Sequence, residues 1–272
     1  MVELKRIGVL SAAKMAGVIE LVVCAFLAAF LLVAGGVAVA FLGPTFSSLK
    51  GMGAFVLLVL PVIGAIMGFC GSAVLVFLYD VLASRMGGMT FELKGKRVDR
   101  VGIISVAKMA AVFGAFVGVV SGVSAAAVSV SASSVPVAIV VVAIAVIATS
   151  AILFAFAALL ALLYNLAAPL LGGVTLDISG GKLAGIGIAP YAGMAGLFSM
   201  VGGLFDGIIF ALMGSDPAVS ATMPAAAATF GVLSVVIFPV AYFIFGFVCA
   251  ALQAWLYNWL SGRIGGVALD MK

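Results

Sequence analysis

Two acids stand where this chain can least accommodate charge. Asp206 lies inside Gly202-Gly203-Leu204-Phe205-Asp206-Gly207, and Glu20 lies near the start of another long apolar run. Ionisable residues in segments of this kind are costly, and each marks an ion or substrate path or a buried polar contact. They are the candidate polar site in the membrane. Neither has the company a catalytic centre needs. The chain has no histidine, so the commonest metal ligand and proton shuttle is missing. It has no phosphate loop, no dinucleotide fingerprint, no metal-ligand spacing and no nucleophile beside a base. The expectation is a protein that is not an enzyme, with no metal and no cofactor. Cys24, Cys70 and Cys249 fall inside apolar runs and read as small packing residues, not as a disulfide framework.

The elements that position these acids come in triplicate. Tyr79-Asp80 is followed by Gly87-Gly88 and Phe91-Glu92, Tyr164-Asn165 by Gly172-Gly173 and Leu176-Asp177, and Tyr257-Asn258 by Gly265-Gly266 and Leu269-Asp270, with identical spacing. Each copy also has a head: Arg6-Ile7-Gly8 to Lys14-Met15, Arg100-Val101-Gly102 to Lys108-Met109, and a degenerate Ile186-Gly187-Ile188 to Met194 with Pro190 in place of the serine. The chain therefore divides into repeats over 1–94, 95–179 and 180–272. Aligned on the heads, Glu20 faces Gly114 and Ser199, and Asp206 faces Leu27 and Ser121. Neither acid belongs to a symmetric filter.

Composition fixes the class. Hydrophobic residues make up 66% and charged residues 8% of 272 positions, against about 25% charged in a soluble domain. Six spans are expected, over Ala16–Phe41, Ala54–Leu82, Ala107–Val130, Val137–Leu166, Tyr191–Met213 and Ala226–Trp259. Two spans per repeat place every head and tail on one face. Of 13 Lys and Arg, only Lys50 falls on the other face, so both termini are expected in the cytoplasm of a cell-membrane protein. The basic residues cluster at span ends, which argues for bilayer orientation and against nucleic acid. The opposite connectors are short and rich in Gly, Pro and Ser, so no outer domain is expected.

The tails alternate with period two: Met89, Phe91 and Leu93 oppose Thr90, Glu92 and Lys94. The heads carry shorter alternations at Ile7/Val9, Val101/Ile103 and Ile186/Ile188. Lys94-Gly95-Lys96-Arg97 and Gly180-Gly181-Lys182 read as hairpin turns between a tail and the next head. Pairing of the last tail with the first head would close six strands into a ring. The fold class expected is an all-α integral membrane protein of six transmembrane helices, arranged as three parallel helical hairpins with pseudo-threefold symmetry, plus short cytoplasmic β-hairpins.

The repeated tyrosines read as interfacial anchors with their rings in the headgroup layer. Asp80, Asn165 and Asn258 read as binders of free backbone groups near helix ends, and the glycine pairs as a left-handed helix stop and turn. Ala110, Gly114, Gly118 and Gly122 form a small-residue packing stripe. Pro61 and Pro239 mark kinks in the second spans. This tail motif and head resemble small prokaryotic two-span transmembrane proteins, from actinobacteria and archaea, that form a domain of unknown function. The resemblance covers all three units and implies a prokaryotic membrane protein with no established activity. If such two-span proteins assemble as trimers, this chain is a fused version. The function expected is a non-catalytic membrane scaffold or assembly component, whose partners are the lipid bilayer and a membrane or cytoplasmic protein. The alternative is a channel or passive transporter with its pathway on the pseudo-threefold axis, for which a tunnel reaching Asp206 would be the sign.

Overall fold

The structure, a computed structural model, describes residues 1–42, 53–129, 135–214 and 231–272. Its elements run β1 (Val2–Ile7), α1 (Val9–Leu42), α2 (Gly53–Met86), β2 (Met89–Lys94), β3 (Arg97–Val101), α3 (Ile103–Ser129), α4 (Val135–Leu171), β4 (Leu176–Ser179), β5 (Lys182–Ile186), α5 (Ile188–Gly214), α6 (Ser234–Ile264) and β6 (Val267–Met271). Among the described residues, six helices are long and apolar enough to cross a membrane. The protein is a mostly helical, multi-pass membrane protein. The expected connectors on the side away from the sheet lie largely outside the described residues, as does the expected start of the last span. What is described there, residues 231–233, is a turn, and the helix begins at Ser234.

The helices begin earlier than the apolar runs suggested. Val9, Ile103 and Ile188 were expected in strands, yet each opens a helix. The glycine before each explains the switch. The N–H groups of Gly8, Gly102 and Gly187 still donate across the sheet, to the carbonyls of Ala268, Thr90 and Thr175 at 2.8, 2.8 and 2.9 Å. Their own carbonyls accept the first helical bonds, from Ala12, Val106 and Tyr191 at 2.9, 3.0 and 3.1 Å. One residue thus ends the ladder and starts the helix. The second helices also outlast the hydrocarbon core. The 34 residues of α2 span about 51 Å against a core of about 30 Å. The surplus carries the sheet-proximal turns through the headgroup layer. Lys14 and Lys108 stand in the second turns of α1 and α3, and Arg263 lies over the Trp259 ring at 3.7 Å in the last turns of α6.

Each helix packs chiefly on the next one in its own unit: α1 on α2, α3 on α4, α5 on α6. The small-residue stripe of α3 makes this possible in the second unit. A methyl at Gly114 or Gly118 would stand 2.7 Å from the Thr149 carbonyl oxygen or 2.5 Å from the Val146 Cα of α4, so the backbones touch without side chains between them. Thr149 donates its hydroxyl to the Gly114 carbonyl at 2.8 Å, and Ser234 does the same to Gly207 in the third unit at 2.7 Å. Contacts between units are sparser and follow one rule, second helix to next first helix: α2 to α3, α4 to α5, and α6 back to α1.

The strands hold the three helix pairs together. They form one sheet in the order β3-β2-β1-β6-β5-β4. Its two ends also meet: Arg97 bridges Thr175, the Val98 N–H donates to Val174 at 2.8 Å, and the Leu176 N–H donates to Lys96 at 2.6 Å. The six strands therefore form a closed ring with no free edge. The register repeats as well. Leu93 opposes Val98 and Ile178 opposes Leu183 across the two hairpins, and Met271 opposes Leu4 where no turn connects the strands. All three pairings shift register at the equivalent step. In the hairpins the turns use glycines at positive φ, Gly95 at 64° and Gly180 and Gly181 at 58° and 70°. At the open seam, Glu3 and Lys272 instead exchange backbone hydrogen bonds at 2.6 and 2.9 Å. Along the β2–β3 turn, Lys94 Nζ lies 2.7 Å from Asp99 and holds that carboxyl below the usual carboxylate range. Whatever stability this exposed pair supplies is present above the ordinary aspartate pKa and fades as pH falls through the lowered one.

Since Lys272 and Glu3 occupy the place of a turn's two flanking residues, a two-residue Gly-Lys link should join them without strain. A circular permutant linked in this way and opened between Gly95 and Lys96 is expected to insert, to keep its helical circular dichroism, and to melt in detergent within a few degrees of the parent. A misfolded permutant would show that the seam is not equivalent to the hairpins.

Candidate functional site

The repeated motif is a clamp between helix and sheet. In each unit the tyrosine hydroxyl does two things at once. Tyr79 donates to the Leu4 carbonyl at 2.5 Å, Tyr164 to Val98 at 2.7 Å and Tyr257 to Leu183 at 2.6 Å. The same oxygens accept from the N–H groups of Met89, Val174 and Val267 at 3.0, 3.0 and 3.1 Å. A phenol offers one donor and two lone pairs, so it bridges the first strand of its unit to the start of the tail strand. The rings are 3%, 6% and 6% exposed. They sit inside the protein, which corrects the expectation of rings lying in the headgroup layer. Each also packs against the next unit. Tyr79 shares a core with Met109, Tyr164 with Met194 and Tyr257 with Met15.

The residue after each tyrosine holds the end of the first strand. Asn165 accepts from the Val101 N–H at 2.8 Å and donates to its carbonyl at 3.0 Å, and Asn258 makes the same pair with Ile186 at 2.7 and 2.8 Å. Asp80 accepts from the Ile7 N–H at 2.8 Å, but an ionised carboxylate has no proton to return. The glycine pairs serve two purposes. Gly87, Gly172 and Gly265 stop the helices at φ of 83°, 96° and 82°. At Gly265, ψ is 144°, which is a positive-φ extended conformation open to glycine and not the left-handed helical stop expected. The second glycines, Gly88 and Gly266, pass close to the clamped strand. A Cβ on either would stand 1.9 Å from the Leu4 or Leu183 carbonyl oxygen that the tyrosine engages. Gly173 lies against the corresponding Val98 carbonyl. The tyrosine hydroxyls and the Asp80, Asn165 and Asn258 side chains are therefore occupied in holding backbone groups of the strands.

The two intramembrane acids have separate fates. Asp206 accepts a hydrogen bond from Tyr242 of its own helix pair at 2.8 Å. Phe238 stacks on Tyr242 and meets Phe210 edge-on, at centroid distances of 6.2 and 5.1 Å. Glu20 joins none of the ion pairs among the described residues, and neither Lys14 nor Lys108 pairs with it. Its stem lies where a Cβ on Gly68 of α2 would be, 2.7 Å from Glu20 Cγ. Glu20 lines a cavity of about 210 Å³ between α1 of the first unit and α5 and α6 of the third, with Ile19, Ile186, Tyr191 and Gln253. Farther from the sheet, the same faces of α1 and α6 line a second crevice of about 240 Å³, walled by Val23, Phe26, Leu27, Phe245 and Cys249. Asp206 lines neither of them.

The structure thus leaves Asp206 and Glu20 apart and brings Glu20 to Gln253 and Tyr191, which the sequence reading did not single out. A signal was available. Counting back from the repeated tyrosines, Gln253 replaces Leu75 and Leu160. Counting from the head glycines, Tyr191 replaces Ala12 and Val106, and Glu20 replaces Gly114 and Ser199. The three substitutions converge on one seam.

These features define a multi-pass membrane protein whose repeated tyrosine and amide side chains hold strands to helices and which carries a polar crevice, lined by Glu20, Tyr191 and Gln253, at the seam. No family model, curated protein or solved structure matches the chain.

Removing one clamp should be measurable. Tyr164→Phe leaves the Val98 carbonyl and the Val174 N–H without their partner and is expected to cost about 2–3 kcal/mol, read as a lower unfolding midpoint in detergent. Gly266→Ala, which forces the Leu183 carbonyl aside, should destabilise more. Asp80→Asn restores the missing donor toward Ile7 and is expected to be neutral or to stabilise by up to about 1 kcal/mol.

Proposed function

We propose that the protein is a non-catalytic membrane scaffold, a fused trimer of two-span units with pseudo-threefold symmetry whose strand ring faces the cytoplasm of a prokaryotic cell. The observation that carries this reading is the use made of the polar residues. The repeated Tyr, Asn or Asp and Gly groups, the places where a symmetric site would be built, are all engaged in holding strands to helices. What remains for partners is the ring's outer surface, where Arg6, Lys94, Lys96, Arg100, Lys182 and Lys272 are exposed. Such a surface suits anionic lipid headgroups or an acidic protein segment. The basic bias toward the strand side supports its cytoplasmic placement. The resemblance to two-span proteins supports the fused-trimer origin.

Two measurements test the reading. Lys96→Cys is expected to react with a membrane-impermeant maleimide only after cells are opened, and labelling of intact cells would refute the orientation. Proteoliposomes of the purified protein are expected to pass Na⁺, K⁺, Cl⁻ and protons no faster than empty vesicles. A flux abolished by Asp206→Asn would replace the scaffold with a conduction pathway.

A further inference from the structure

The seam between the third and first units differs from the other two in three ways. Units one and two, and two and three, are tied by the turns at Gly95 and at Gly180-Gly181, whereas β6 and β1 meet through hydrogen bonds alone. It is the one seam that can part sideways without breaking the chain. Second, its helix faces carry Glu20, Tyr191 and Gln253, where the equivalent faces of the other seams carry glycine, serine, alanine, valine and leucine. Third, polarity along the seam is graded. The cavity nearer the sheet is lined by a carboxylate, an amide and two tyrosines, Tyr191 and the clamp residue Tyr257. The next crevice, lined one to two turns farther along α1 and α6, is apolar throughout. Residues 19, 20, 23, 26 and 27 of α1 and 245, 249 and 253 of α6 follow helical spacing, so the two spaces lie on one continuous pair of helix faces.

A polar chamber and an apolar slot one to two turns apart on the same pair of helix faces have the chemistry of an amphiphile site. The chamber's charge selects among amphiphiles. Glu20 is its one ionisable carboxylate and has no cation among the described residues. Glu20 is half-buried, and an ammonium group with N–H donors can meet its carboxylate through a charge-assisted hydrogen bond. Gln253 and Tyr191 supply further acceptors and donors for the polar head. A quaternary ammonium, with no N–H to donate, fits this acceptor set less well. We propose that the seam between α1 and α6 binds one lipid whose headgroup carries a primary ammonium, with its head at Glu20, Gln253 and Tyr191 and an acyl chain along Val23, Leu27, Phe245 and Cys249.

The test is lipid retention by the full-length protein. The protein is placed in nanodiscs of equal parts phosphatidylethanolamine and phosphatidylcholine, released gently, and examined by native mass spectrometry. The wild type is expected to keep one phosphatidylethanolamine with about tenfold preference over phosphatidylcholine. Glu20→Gln should abolish the preference, and Gln253→Leu, which installs the residue found in the other units, should reduce it. Leu160→Gln, the mirror change at a different seam, should leave it intact. Circular dichroism and melting of each variant confirm that the seam is folded. Equal retention of the two lipids by the wild type overturns the proposal, as does a preference that survives in folded Glu20→Gln. Glycerophosphoethanolamine, which has the head without the chains, is added as a competitor and is expected not to displace the lipid. Displacement would show that the apolar slot is not part of the site and overturn the amphiphile assignment. None of these outcomes bears on flux or orientation, so the scaffold reading stands or falls separately.

Discussion

One phenolic oxygen per unit, shared between a carbonyl on one strand and an N–H on another, is the contact on which this structure depends. At the point where a long apolar helix ends and the chain turns into a strand, backbone groups leave the helical ladder without having entered the sheet. Close to a membrane such groups are expensive to leave unpaired. Tyr79, Tyr164 and Tyr257 each close that gap with a donor and an acceptor on the same atom. The glycine ten residues or fewer beyond each tyrosine must then pass so near the clamped carbonyl that no side chain fits. The spacing of the motif is therefore a consequence of geometry: a helix end, a stop, and a strand that must return beneath the same ring.

The clamps matter more because the helices do little to hold the units together. Within a bilayer, lipid tails satisfy apolar side chains as well as another helix does, so association relies on close packing and hydrogen bonds. Inside each unit, those come from the glycine stripe and from Thr149 or Ser234. Between units the helix contacts are few, and the strand ring takes over. The ring gives each strand two neighbours, so no edge is open to pairing with another chain. The methionines Met15, Met109 and Met194, each buried against the tyrosine of the preceding unit, carry the same connection into the apolar layer.

Against this repeated frame the departures gain meaning. Asp80 keeps half of the asparagine's hydrogen bonding, and Pro190 replaces a serine that in the other units accepts from the tail strand. These are losses that a redundant frame tolerates. Glu20, Tyr191 and Gln253 are different, since each adds polarity where the repeat has none and all three meet at the seam that no turn closes.

Much of the fold was legible locally. Hydropathy, period-two tails, the triplicated spacing and the tight Gly-containing links specify six spans and the strands, because each rests on residues adjacent in the chain. Helix starts were misplaced because a single glycine, bonded at once to the sheet and to the helix, makes the switch, and that double bonding exists only once the strands have paired. The tyrosines were assigned to the lipid interface because the carbonyls they engage lie 66 to 75 residues earlier. Gln253 and Tyr191 passed unremarked because a lone polar residue on a helix has no local signature. The sequence alone determined which segments are long and apolar enough to cross a membrane and that charge gathers at the ends of those segments, since apolar length and charge act segment by segment. Which groups meet was decided only when the last strand paired with the first, because that closure brings opposite ends of the chain face to face.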